Sequence, residues 1–213
     1  MPLQIHAFES GPVATYAYLA VDIESRKGLI IDAPLQSAGR IIAAADKEGI
    51  TPEALILTHT HWDHTADAAE LKRRYPEMLV YVHPDDEYRM ADPMKHTVWQ
   101  LPFTIEAIAP DRHVRDGDTF TLGGIGFEIM HTPGHTEGGI CLYDAAHKTI
   151  FVGDTLFAGS VGRTDLPGGD WDTLLRSISE RLMPLPDDTR VYPGHGPSTT
   201  IGAERASNPF IAG

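Results

Sequence analysis

The stretch Thr58-His59-Thr60-His61-Trp62-Asp63-His64 constrains this chain more than any other. It follows directly on a short apolar run, Ala54–Leu57, that reads as a buried strand. It also opens an amphipathic segment expected to be helical from His64 to Tyr75, with Pro76 as its stop. Any fold that accepts this stretch must therefore bring a strand end and a helix start to one point. In extended backbone, residues two apart face the same way, so His59 and His61 can aim together. Asp63 and His64 lie one turn later and can reach a neighbouring point. Imidazole nitrogen with carboxylate oxygen is a donor set for zinc, iron or manganese rather than calcium or magnesium. The competing explanation is a polar surface turn with incidental histidines.

Three more segments each put a possible ligand beside glycine at the end of an apolar run. They are His131-Thr132-Pro133-Gly134-His135, Val152-Gly153-Asp154 and Pro193-Gly194-His195-Gly196. Glycine allows a tight turn and a close approach to a ligand. Each segment alone is weak, because a strand-end histidine is commonly just hydrogen-bonded structure. Together with the first stretch they supply enough donors for two metal ions sharing a carboxylate.

The rest of the chain reads as alternating strands and helices in one domain over residues 1–213. Strands are expected at Leu3–Phe8, Val13–Val21, Gly28–Ile31, Leu79–Val82, Thr119–Leu122, Ile125–Met130, Ile140–Tyr143, Thr149–Val152 and Arg190–Tyr192. Helical spacing runs over Leu35–Gly49, and again from Trp171 through Leu174, Leu175 and Ile178 to Leu182 with Asp170 as cap. Gly123-Gly124 reads as a hairpin turn. Pro84–Pro102 mixes charge, proline and aromatics and is expected to be an irregular or short helical insertion. The order suggests two sheets packed face to face with helices outside.

Composition sets the outer limits. Seventeen basic against thirty acidic residues leave a net charge of -13, which disfavours nucleic acid or an anionic membrane as partner. No apolar run is long enough to span a bilayer, and the N-terminus shows no basic-then-apolar leader. One cysteine, Cys141, forms no internal disulfide, and a cytoplasmic location is expected. Cys141 sits in an apolar strand and reads as core rather than nucleophile.

The His-x-His-x-Asp-His pattern at His59–His64 resembles the signature of the metallo-β-lactamase superfamily. Within it, Pro133-Gly134-His135-Thr136, the run from Gly153-Asp154-Thr155-Leu156-Phe157 to Gly162-Arg163-Thr164-Asp165, and the tail from Gly194-His195-Gly196-Pro197 through Glu204-Arg205 to Asn208-Pro209-Phe210 resemble the short hydroxyacylglutathione hydrolase-like (type II glyoxalase-like) proteins. The resemblance implies an α/β fold, an αββα sandwich with metals at one edge between the sheets. It further implies that His59, His61 and His135 hold a first divalent ion, that Asp63, His64 and His195 hold a second, and that Asp154 bridges them. Zinc is the first expectation, with iron or manganese as alternatives. The implied chemistry is hydrolysis of a small thioester, a glutathione conjugate such as S-lactoylglutathione, by hydroxide held between the ions. Asp63 and Asp154 are the catalytic carboxylates on this reading, with Asp63 a ligand first and a proton acceptor second.

Two other enzymes fit the same residues: a persulfide dioxygenase using one iron, and a lactone or phosphodiester hydrolase. Arg163 falls where related hydrolases place a basic residue near the substrate; an ion pair with Asp165 is its equal alternative. His131 is expected to hydrogen-bond near His135 rather than to ligate. His6, His83, His96, His113 and His147 are expected in surface or packing roles. Two departures from the family are expected: no counterpart of the C-terminal helical region of the longer glyoxalases, and Gly138-Gly139 where many relatives carry histidine or serine.

Overall fold

The computed structural model describes residues 2–211. Two six-stranded sheets lie face to face. The first runs in the order β1 (Leu3–Ser10), β2 (Thr15–Asp22), β3 (Lys27–Ile31), β4 (Thr51–Ile56), β5 (Leu79–Val82), β6 (Arg112–His113). The second is made of β7 (Thr119–Leu122), β8 (Ile125–His131), β9 (Ile140–Asp144), β10 (Thr149–Gly153), β13 (Arg190–Pro193) and β14 (Thr199–Thr200), in the order β14-β13-β10-β9-β8-β7. Strands β11 (Leu156–Phe157) and β12 (Ser160–Val161) form a small separate hairpin.

Period-two burial builds three apolar layers from these strands. In β2 and β4, on either side of β3, Ala17, Leu19 and Leu55 face an outer layer, joined by Leu57 just after β4, while Tyr18, Ala20, Ala54 and Ile56 face the opposite sheet. In the second sheet Phe127, Leu142 and Phe151 point into that central layer, and Cys141, Ile150 and Val191 point outward. The helices cover the outer faces. Helix α1 (Ala38–Glu48) and α3 (Ala68–Arg74) pack Ile41, Ala45 and Leu71 on the first sheet. On the second sheet sit Leu174 of α6 (Trp171–Ser177), Ile178 and Leu182 of the π-helical turn that continues it, and Ile201 of α7 (Ile201–Ser207). This is the αββα sandwich expected, with Cys141 fully buried. Among the described residues no helix is long and apolar enough to cross a membrane.

Several boundaries differ from expectation. The helix anticipated over His64–Tyr75 is broken into α2 (Trp62–Thr65) and α3. The His64 carbonyl accepts from Ala33 N at 2.8 Å and Asp67 N donates to the Ala33 carbonyl at 2.9 Å, so the loop after β3 takes the bonds an unbroken helix would need. Val13 lies outside β2, in the turn from Gly11 to Ala14. The insertion after β5 holds a 3-10 turn (Pro84–Asp86), α4 (Glu87–Ala91) and α5 (Pro93–His96) before an irregular segment. Asp170 caps α6 as expected, its carboxylate accepting from Thr173 N at 2.8 Å. Strands β6, β11, β12 and β14 and helix α7 are additions; the first four are two residues long, too short for periodicity to register.

Candidate metal centre

Strand direction gathers the site. Strand β4 runs parallel to β3 and β5. Strand β10 runs parallel to β13, and β8 and β10 are both antiparallel to β9. The segments that follow β4, β8, β10 and β13 therefore leave the sheets at one edge, and they carry His59–His64, His135, Asp154 and His195 respectively. Backbone bonds clamp the sheets together there: Ile140 N donates to the Thr58 carbonyl at 2.8 Å, and Tyr16 N to the Gly194 carbonyl at 2.8 Å.

All seven predicted side chains meet. Ligand atoms of His59, His61 and His135 lie within 4.8 Å of one another, as do those of Asp63, His64 and His195, and those of His59, His64 and Asp154. His61 Nδ1 is 2.9 Å from His135 Nε2; two nitrogens bound to one zinc at about 2.0–2.1 Å sit only slightly farther apart, at about 3.3 Å. Asp154 touches both groups, with Oδ1 3.3 Å from His64 Nε2 and Oδ2 3.5 Å from His135 Nε2 and 3.4 Å from His195 Nε2. His195 Nε2 is also 3.2 Å from Asp63 Oδ2.

Hydrogen bonds behind the rings fix which nitrogen faces inward. His135 Nδ1 donates to the Arg163 carbonyl at 2.7 Å, His195 Nδ1 to the Val13 carbonyl at 3.1 Å, and His64 Nδ1 to Asp32 Oδ2 at 2.8 Å. The Thr58 hydroxyl gives its proton to Asp32 Oδ2 at 2.7 Å and so accepts from His59 Nδ1 at 3.2 Å. In each case Nε2 is the nitrogen turned to the centre. His59 Nε2, His64 Nε2 and Asp154 Oδ1 are buried without a hydrogen-bond partner. Buried polar atoms are ordinarily paired, so three orphans aimed at one point fit a cation.

Charge supports the same fit. Burial pushes the His59 imidazole well below its ordinary value and His61 down to about 3, so both present neutral rings. Burial opposes ionisation of Asp63 and Asp154, yet His64 beside both, together with His195, holds them below the ordinary carboxylate range. Burial also works against a charge on His64, but Asp154, Asp32 and Asp63 outweigh it and lift that ring well above its usual value. The carboxylate side of the site thus attracts positive charge, and the histidine side offers lone pairs.

A family model described as the metallo-beta-lactamase superfamily matches residues 10–195. The chain belongs to that superfamily. It is 39% identical over 190 residues to the hydroxyacylglutathione hydrolase GloC of Haemophilus influenzae, covering 88% of this chain and 89% of that protein. Among solved structures, the BLEG-1 B3 metallo-beta-lactamase superposes with TM-score 0.91 at 35% identity, covering 99% of this chain and 100% of the other. TTHA1623 in a di-iron-bound form superposes with TM-score 0.86 at 36% identity, covering 97% and 100%. The chain has the metallo-beta-lactamase fold, and the superfamily's divalent-metal chemistry matches its cluster of histidines and aspartates.

Two supporting residues of this superfamily member escaped the sequence reading. Asp32, 2% exposed, holds Thr58 N at 2.7 Å besides His64 and the Thr58 hydroxyl. It adopts φ of 60°, a left-handed conformation that aspartate tolerates; a lone acid after the apolar run Leu29–Ile31 was its only signal. Asp86, fully buried, accepts from Thr60 N at 3.0 Å, Thr136 Oγ1 at 2.9 Å, Gly138 N at 2.7 Å and Arg89 Nη1 at 2.9 Å. It thereby ties the residue between His59 and His61 to the residue after His135. Gly138 is explained by the same contact, since a Cβ there would meet the Asp86 side chain and backbone at 2.8 Å.

His131 bonds near His135 rather than to it. Its ring stacks on His83 at 4.1 Å with planes 8° apart, and Nε2 donates to the Glu137 carbonyl at 2.9 Å. His83 therefore has a partner that the sequence did not show, because the two lie on different sheets. His6 and His113 lie against the carboxylates of Glu48 and Glu87, and His147 Nδ1 lies 2.5 Å from the buried Asp144. Arg163 takes the ion-pair reading, bound to Asp165 through Nε at 2.7 Å and Nη2 at 2.8 Å, and it also lines the cleft above the site.

Proposed function

We propose that this chain is a binuclear metallohydrolase that cleaves thioesters, S-lactoylglutathione being the representative substrate. The carrying observation is the convergence of seven donors, three of them with orphaned buried atoms; five of the seven line a cleft of about 610 Å³, with His59 and His64 buried behind them. His59, His61 and His135 would hold one ion, Asp63, His64 and His195 the other, and Asp154 both. When bound, such ions supply Lewis acidity, turning water into a nucleophile near neutral pH and stabilising negative charge on a carbonyl oxygen.

The chain's own residues favour a good leaving group. Asp63, kept below the ordinary carboxylate range, holds a proton poorly and serves as ligand and orienter; Thr15 Oγ1 donates to its Oδ2 at 2.9 Å and steadies it. Beyond the seven donors, the described residues lining the cleft include no tyrosine, lysine, cysteine or glutamate to protonate a departing group. A thiolate, with pKa near 8.5, needs no such donor, whereas the alkoxide from a lactone does. The GloC name of the Haemophilus influenzae relative agrees with this reading. The second ligand set is as complete as the first, which favours two ions over the single iron of a dioxygenase.

Metal counting on purified protein, alongside loss of thioester absorbance with S-lactoylglutathione, tests the proposal. Two ions per chain and turnover are expected. No turnover of S-lactoylglutathione or of its acyl-chain analogues at full metal occupancy would reject thioester hydrolysis; one persistent iron with oxygen uptake would shift the assignment to the dioxygenase.

A further inference from the structure

The walls of the cleft differ in character from its floor. Val13 and Leu35, from the loops after β1 and β3, form one side, and Trp99, Leu101 and Phe103, from the segment after α5, form the other. Val13 and Trp99 are 46% and 44% exposed, large apolar surfaces left in water beside the site. Trp62 props the second wall from below, with ring centroids 6.5 Å from Trp99 and 5.8 Å from Phe103. Among the described lining residues, Arg163 is the sole guanidinium or ammonium group; its Nε and Nη2 donate to Asp165, Nη1 takes no part in that pair, and the guanidinium lies 5.6 Å over the Trp99 ring. A glutathione moiety is mostly polar, with two carboxylates and an ammonium group, so it covers less of an apolar wall than an alkyl or aryl acyl group does. The apolar walls therefore suit the acyl side of a thioester, with Arg163 at the rim left for the thiol side.

We infer that this enzyme selects thioesters whose acyl group is bulky and apolar, medium-chain or aryl, and that Trp99 and Phe103 set this preference; the inference rests on the thioester reading above. Each methylene covered by such a wall changes affinity by a factor of about four. Acetyl to hexanoyl adds four methylenes, so even half coverage predicts at least a tenfold rise in kcat/KM.

The test compares S-acetyl-, S-butanoyl-, S-hexanoyl- and S-benzoylglutathione on the metal-loaded protein. The hexanoyl-to-acetyl ratio should exceed about ten in the parent, collapse to within about threefold of unity in Trp99→Ala and Phe103→Ala, and be largely restored in Trp99→Phe. Calorimetric binding of the unreactive thioethers S-hexyl- and S-methylglutathione supplies a readout independent of turnover. Tighter binding of the hexyl ligand by tenfold or more without hydrolysis of any thioester would leave the apolar wall standing and overturn the thioesterase reading. Turnover with a flat acyl series, or ratios unmoved by both alanine variants, would overturn the inference and leave the thioesterase reading intact.

Discussion

Removing the Asp86 side chain is the sharpest test of how the centre is held. Asp86→Ala takes the carboxyl from four donors at once: Thr60 N, Thr136 Oγ1, Gly138 N and Arg89 Nη1. Arg89 is 3% exposed and keeps only Glu137 and the Pro167 carbonyl, both through Nη2. Breaking a buried ion pair costs about 3–5 kcal/mol; with part of the guanidinium still paired, about 3 is expected. The two stranded backbone amides add about 1 kcal/mol each, for a total of about 5 kcal/mol. For a chain of this length that lowers Tm by about 10–20 °C. Urea denaturation of the parent, of Asp86→Ala, of Arg89→Met and of the double variant would measure it. Replacing both members with apolar groups removes the stranded charge, so the double variant should recover at least about 2 kcal/mol against the sum of the singles. A loss below about 1.5 kcal/mol in Asp86→Ala, or simple additivity in the cycle, would refute the argument that this carboxyl clamps both ligand loops.

Three further outcomes follow from the same geometry. Asp154→Ala should lose both ions and His195→Ala mainly one, read by metal counting after dialysis; an Asp154→Ala protein retaining two ions would remove the bridging role. Gly194→Ala should fold but bind less metal, because a Cβ there overlaps Asp154 Oδ1 and crowds His64 Cε1 at 2.7 Å; unchanged metal stoichiometry and affinity would contradict the close approach. Tyr18, buried in the central layer and donating to the Pro193 carbonyl at 2.7 Å, has its phenol pushed upward by burial first and then by Tyr16 and Asp32. A raised acid favours its protonated form in the fold, so its contribution is complete below the ordinary tyrosine value near pH 10 and is lost as pH climbs beyond it. Tyr18→Phe should therefore cost about 1 kcal/mol at neutral pH and show a shallower fall in urea midpoint above pH 10; equal slopes would count against it.

The converging donors were legible because each sits where an apolar run ends, and such boundaries are visible one residue at a time. His59, His61, Asp63 and His64 stand in one short pattern, and His135, Asp154 and His195 each follow a strand beside glycine or proline. Asp86 and Asp32 carry no such mark; their importance lies in donors 26 to 52 positions away, such as Thr60 and Gly138, or 26 and 32 away at Thr58 and His64. The break between α2 and α3 was hidden for the same reason, since Ala33 supplies the competing backbone bonds. The His83–His131 stack unites two sheets and has no local signature.

Local chemistry in the chain settled the layers and the donor set: alternation every second residue chose which side chains face which layer, and residue type chose imidazole and carboxylate as ligands. Folding settled everything that depends on distance between segments. The pairing of strand ends at one edge, the tautomer each ring adopts against its backing partner, and the apolar walls of Trp99 and Phe103 over a charged floor arise only when remote stretches pack. A hydrogen bond, a clash or a shared cation is a property of two points in space, and residue order alone specifies neither their separation nor their direction.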